Sequence, residues 1–402
     1  MAPRPTLDVV LTDDWELRGN GSGNMRAIQF ATIRRLTDIY DQYGLRGSFN
    51  VEVMQQLYHL EAAERFPELG ELAAEWEATV CDVFRRGHDV QLHIHPQWTD
   101  AAYVEGAWRL DGSWSLLDYS REDVAEMVDR CASYLERLLT GLDPTYRCVS
   151  FRSGSWCIAP GPHPLDVLAE RDFVFDMSIV DGALFRTAHV QVDYRHLEEP
   201  FLPYAPVMAD ARKRSPEPQP LVCVPTHSFA DHGVRPPPDG TGLGTPTRPR
   251  ATLRHRVITD AGHTLLRARL GFLAKAWLER PNDTPIPGAG YAVNYGAQEW
   301  SNDDTGDGSG SAIHQIRTSD LSMLSVPQMR EMLRNARRRA RTSGWPVVPV
   351  IIENHTKDIG NWRPMERFAQ LVAEADDVNV ITLRELADNL LAAKYPVGPF
   401  RG

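Results

Sequence analysis

His93-Ile94-His95-Pro96 and Thr12-Asp13-Asp14 are the residues of this chain best suited to do chemistry. In extended backbone, side chains at i and i+2 point to one side, so His93 and His95 can grip one ion together. A carboxylate from elsewhere would complete a three-residue set around a divalent metal and leave positions open for water and substrate. Asp14 is the expected carboxylate. Asp13, beside it, is then free to act on a metal-activated water.

These residues need a frame to bring them together. Leu7–Leu11 reads as a buried strand, and the polar Thr12–Glu16 follows its C-terminal end. Residues 25–43 show helical spacing closed by Gly44. Gly47–Val53 is a second strand, 61–86 an acidic helix ended by Gly87, and Asp89–His93 a third strand with the histidines at its end. Ser120 with Asp123 forms a capping box for a helix through Leu139. Cys148–Phe151, Phe173–Phe175, Leu221–Val224 and Val347–Ile352 read as further strands, and 326–342 as a helix. Residues 365–390 read as a helix, a short strand over Val378–Ile381 and a last helix. Alternating strands and helices predict a parallel α/β architecture.

The rhythm breaks over 212–220 and 233–249, which are rich in Pro, Gly and charge. A periodic helix is predicted over 259–279 and a polar turn over 302–310. That turn lacks the glutamate of an EF-hand.

Five polar clusters follow apolar strands: Asp13-Asp14, His93/His95, Arg152, Asp176–Gly182 and Glu353-Asn354-His355. In a parallel barrel the C-terminal strand ends meet on one face, so the five would share one bowl. At these residues the chain resembles the NodB-type polysaccharide deacetylases, carbohydrate esterase family 4, over about 5–205 and 345–390. Thr12-Asp13-Asp14 is similar to that group's first motif, Gly87–Pro96 to its second and Phe151–Trp156 to its third. Asp176–Gly182 is similar to the fourth and Val350–His355 to the fifth.

The resemblance implies an α/β fold, a distorted (β/α) barrel of the NodB type. The stretch 206–345, which matches nothing in that pattern, is expected to be a large insertion that covers the site. One domain, 1–402, would hold both. It implies Asp13 as general base, Asp14, His93 and His95 as metal ligands, Arg152 as the cation that orients the base, and His355 as general acid. Asp176 would support His355 or line the pocket. The metal implied is one divalent ion, zinc first, with cobalt and nickel as alternatives.

The chain departs from that pattern in places. The group's two histidines usually stand four residues apart, against two here. Alignment on the usual spacing puts Gln97 in place of His95, but an amide is a poor ligand for a borderline metal, and His95 is preferred. Met177 stands where serine or threonine is usual, and Trp15-Glu16 replace a glycine, which would reshape the pocket floor.

Single residues also have plainer readings. Trp98, Trp156, Trp300 and Trp362 could stack on a sugar, but core packing is the favoured reading for any single one. His227 follows a strand and is a weaker candidate to reach the site, His88 reads as a turn residue, and the arginines of 334–341 as a solvated helix face.

A net charge of −11 argues against nucleic acid and anionic membrane as partners. Five cysteines without a CxxC, together with a polar start, predict a reduced, cytoplasmic setting in which the thiols are core residues. The predicted partner is a small N-acylated substrate, with glycosides among the candidates. The predicted function is metal-dependent removal of an acetyl or other small N-acyl group from an amino-sugar-containing metabolite. The alternatives are hydrolysis of a formamide, cyclic imide or ureide, and a catalytically silent binding protein on the same fold.

Overall fold

The computed structural model describes residues 4–161, 163–186, 190–231 and 315–397. The expected helix over 259–279, the turn over 302–310, the run 233–249 and Trp300 lie outside them.

The frame is a parallel sheet wrapped into a barrel. Its strands are β1 (Thr6–Trp15), β2 (Ser48–Glu52), β3 (Asp89–Ile94), β4 (Ser150–Ser153), β5 (Phe175–Asp176), β6 (Val222–Cys223), β7 (Val347–Ile352) and β8 (Val378–Val380). They run in the order β6-β5-β4-β3-β2-β1-β7, with β8 also on β1, and every pairing is parallel. β1 is the hinge of this arrangement. Its first half pairs with β7 and β8, while residues 12–15 pair with β2. That change of partner staggers the sheet and lets it curl.

The ring closes beyond β6. Thr226 bridges Ile351 of β7, and the His227 N–H donates to the Ile351 carbonyl at 2.9 Å. The result is a distorted (β/α) barrel. Strands covered on both faces are apolar almost throughout, as in Val347–Ile352.

Helices α1 (Ala31–Gln42), α2 (Val53–Ala62), α3 (Pro67–Arg85) and α4 (Arg121–Thr140) pack outside. The capping box at Ser120 forms with Asp123, and Gly44 sits just past α1 with φ 64°. The five cysteines are unpaired, and Cys131, Cys148, Cys157 and Cys223 are buried. No helix among the described residues is long and apolar enough to cross a membrane.

Part of the 206–345 stretch belongs to the barrel itself. Val222–Cys223 is a strand of the sheet, Thr226 closes the ring, and the helix Val326–Ser343 packs on the frame.

Candidate active site

Alternation along β1 divides its polar end. Asp13 and Trp15 turn to the surrounding layer. The Tyr40 hydroxyl of α1 donates to Asp13 Oδ2 at 3.0 Å, the Asn354 amide donates to Oδ1, and Trp15 packs on Phe49 and Trp76. Thr12, Asp14 and Glu16 turn to the opposite side, where Arg152, His93 and His95 stand. A strand carries i, i+2 and i+4 on one face, so the choice of side is one of register, not chance.

Glu16 is the carboxylate that joins the two histidines. Among the described residues, Glu16, His93 and His95 form the group whose ligand atoms all lie within 4.8 Å of one another. His93 Nε2 is 3.2 Å from Glu16 Oε2, and His95 Nε2 lies against the same oxygen. Asp14, expected in that place, is two residues short of it.

The donor set fits a divalent metal. Nδ1 of His93 donates to the Arg152 carbonyl at 2.8 Å, which leaves the Nε2 lone pair directed at the group. Nε2 of His95 is buried, and although it touches Glu16 it makes no well-aligned hydrogen bond. Gln97 stands behind His95, with its amide nitrogen 2.9 Å from Nδ1. That nitrogen can only donate, so ligation through Nε2 would require the amide to turn its oxygen toward Nδ1. His95 is also braced from its backbone, whose N–H donates to buried Glu52 at 2.5 Å.

Asp14 forms the second cluster. Its Oδ1 accepts from Arg152 at 2.7 Å and from the Asn50 amide at 2.8 Å. Burial would raise its pKa, but Arg152, His93 and His355 outweigh that and hold it at about 2. Its Oδ2 lies 3.6 Å from His355 Nε2. Asp13 is the opposite case: burial dominates and lifts it to about 7.

His355 forms the third. Its Nδ1 lies 2.8 Å from Asp320 Oδ2. Burial and nearby Lys357 oppose its charge, yet Asp320 and Asp14 prevail and raise it to about 9. The carboxylate against His355 is thus Asp320, not Asp176. Asp176 instead accepts from the Ser178 hydroxyl at 2.6 Å and from the Ser178 N–H at 3.0 Å, with its pKa lifted to about 7 by burial.

Trp156 lies at the rim of this cluster. Its ring meets the His355 ring at 6.0 Å and 82°, and its Nε1 donates to Glu353 at 3.2 Å. Ser155 and Trp156 both adopt left-handed backbone, φ 54° and 55°, a strained pair of a kind that persists where surroundings enforce it. Trp98 packs in the core with Tyr58 and Trp108, and Trp362 lies under Arg35. His227 is buried against Phe201, and His88 is buried between Tyr40 and Phe49.

Solved structures offer a comparison with this geometry. Polysaccharide deacetylases and an allantoinase are among those it resembles. A Mycobacterium smegmatis protein described as a polysaccharide deacetylase matches with TM-score 0.48 and 15% identity, covering 100% of this chain and 96% of that one. The Puue allantoinase matches with TM-score 0.44 and 11% identity, covering 99% and 94%. A Pseudomonas aeruginosa PAO1 protein described as a polysaccharide deacetylase matches with TM-score 0.45 and 11% identity, covering 99% and 96%. No family model and no curated protein matches the chain.

Asn50, Asp320 and Lys357 are candidate site residues that the sequence reading did not single out, and Glu16 was named there only as a change to the pocket floor. Glu16 carried a signal, since it follows Asp14 by two positions just beyond β1; Lys357, in a short helical turn over Thr356–Asp358, did not. Asp320 carried none, because only the tertiary fold brings it to His355.

Proposed function

We propose that the protein is a metal-dependent hydrolase that cleaves a carbon–nitrogen bond to remove a small N-acyl group. The observation that carries this reading is the meeting of three units: Glu16–His93–His95, Asp14–Arg152 and His355–Asp320. A divalent ion held by Glu16, His93 and His95 would polarise the substrate carbonyl and ease loss of a proton from water.

The remaining steps belong to the chain's own groups. Asp14, kept ionised by Arg152 and so unprotonated at neutral pH, is the group placed to take a proton through Oδ2 from the attacking water. Arg152 and Asn50 hold its other oxygen, so the carboxylate enters the reaction already aimed. His355, cationic at neutral pH, gives a proton from Nε2 to the departing nitrogen. Asp320 fixes the ring through Nδ1. Asp14 and His355 are close enough to serve one scissile bond. Asp13, on the other face of β1, has a structural part in this scheme, and Asp176 shapes the wall near Ser178.

The substrate class proposed is an N-acylated amino-sugar metabolite, with Trp156 beside His355 as an aromatic surface for a sugar ring. The test is release of acetate from N-acetylhexosamine conjugates by purified protein, before and after chelation and after return of Zn²⁺ or Co²⁺. Turnover that survives complete removal of metal would sink the reading. Release of formate or of a ring-opened acid from amide substrates instead would move it to the non-sugar amides.

A further inference from the structure

The chemistry above leaves one buried ion pair unused. Lys357, two residues after His355, is 1% exposed and sets its Nζ on Glu16 Oε1. The other oxygen of Glu16 faces both imidazoles. A buried ammonium persists only beside partners that repay its desolvation, and Glu16 is one of them. The carboxylate therefore has a cation on one oxygen. His355 adds a second, with Nε2 4.0 Å from the same Oε1.

We propose that Lys357 is a built-in counter-ion that competes with the divalent metal for Glu16 and makes the centre an exchangeable one. The inference rests on the metal reading of Glu16, His93 and His95. Its physical basis is Coulomb repulsion across a shared carboxylate. At the effective dielectric of a buried site, that repulsion is large enough to lower affinity by about tenfold or more. The same ammonium offsets the charge of Glu16. Activity would then follow the ambient level of free metal.

The test is Co²⁺ binding by the full chain and its Lys357→Met, Lys357→Gln and Lys357→Arg variants. Visible absorption and competition with a chromogenic chelator give the affinities, and circular dichroism reports folding. Gln keeps a hydrogen-bond donor toward Glu16 without the charge, which covers a Met variant that fails to fold. Met and Gln are expected to bind Co²⁺ about tenfold or more tightly than the parent, and Arg to match the parent. Equal or weaker binding by a folded neutral variant overturns the inference and leaves the metal centre standing. Binding by the neutral variants alone supports it. Binding by no form, the parent included, overturns the metal reading and the inference with it. Failure of both neutral variants to fold even with Co²⁺ present also overturns it, because the ion should replace the lost charge.

Discussion

Nε2 of His93 lies 3.2 Å from Oε2 of Glu16, whereas Asp14, two residues earlier near the end of β1, accepts from Arg152 through Oδ1. The two carboxylates share a face and divide the work by position. Glu16→Gln should therefore weaken Zn²⁺ or Co²⁺ binding by about 100-fold or more, beyond the 10–100-fold seen for supporting residues. Asp14→Asn should leave binding within a few-fold. Competition titration of both variants checks this, and the reverse ranking would return the ligand role to Asp14.

Turnover should separate the adjacent aspartates as sharply. Asp14→Asn removes the proposed base, and kcat should fall about 10²–10⁴-fold. Asp13→Asn changes a buried group held by Tyr40 and Asn354 on the opposite face of β1, so kcat should stay within a few-fold. Steady-state kinetics on the two single variants decides the matter. Loss of turnover in Asp13→Asn with Asp14→Asn active would reverse the assignment.

The pH profile reports on His355 and Asp320. A histidine raised to about 9 remains a proton donor through neutral pH, so kcat/KM should fall as pH rises through about 9. Asp320→Asn removes a carboxylate that raises it, and this alkaline limb should move to lower pH. The sign for stability agrees. The contribution of the raised group is fully present below 6.5 and is lost as pH rises through about 9. An alkaline limb that does not move in Asp320→Asn would separate the dyad from catalysis.

The barrel was legible because its strands are apolar and regularly punctuated. The histidine pair was legible because i, i+2 spacing has a direct geometric meaning. The same spacing governs Asp14 and Glu16. Ending the first strand at Leu11 hid this, since the extended backbone runs on to Trp15. Reading Thr12–Glu16 as a continuation would have placed Asp13 and Trp15 outside and Asp14 and Glu16 inside. Asp320 was beyond such reasoning. It lies next to no strand-end motif, and only folding brings it to within 2.8 Å of His355.

Arg152 and Asp14 are both within 2% of full burial, which makes their pairing costly to break. Arg152→Met would leave Asp14 as a buried charge with Asn50 alone on Oδ1. A loss of about 3–5 kcal/mol in unfolding free energy is expected. The double variant Arg152→Met with Asp14→Leu should recover part of it, because the uncompensated charge is gone. Denaturant unfolding of the three variants measures both effects. Additive losses would show that the pair does not act as a unit.

Gly154 tests whether His95 depends on close packing from the next strand. A Cβ added there would come to 2.8 Å from both His95 Nδ1 and the Ile94 carbonyl. Neither can yield easily. The carbonyl is backbone, and the imidazole is held between Gln97 and Glu16. Gly154→Ala should therefore turn His95 out of line with His93, at a stability cost of about 1–3 kcal/mol. Metal affinity should fall by about tenfold or more, as it does when a ligand's support is lost. Calorimetric titration with Zn²⁺, alongside thermal unfolding of the metal-free protein, separates the two consequences. Unchanged affinity together with a loss of stability would mean that the strand shifts as a whole and carries His95 along, so that Gly154 serves packing and not the ligand.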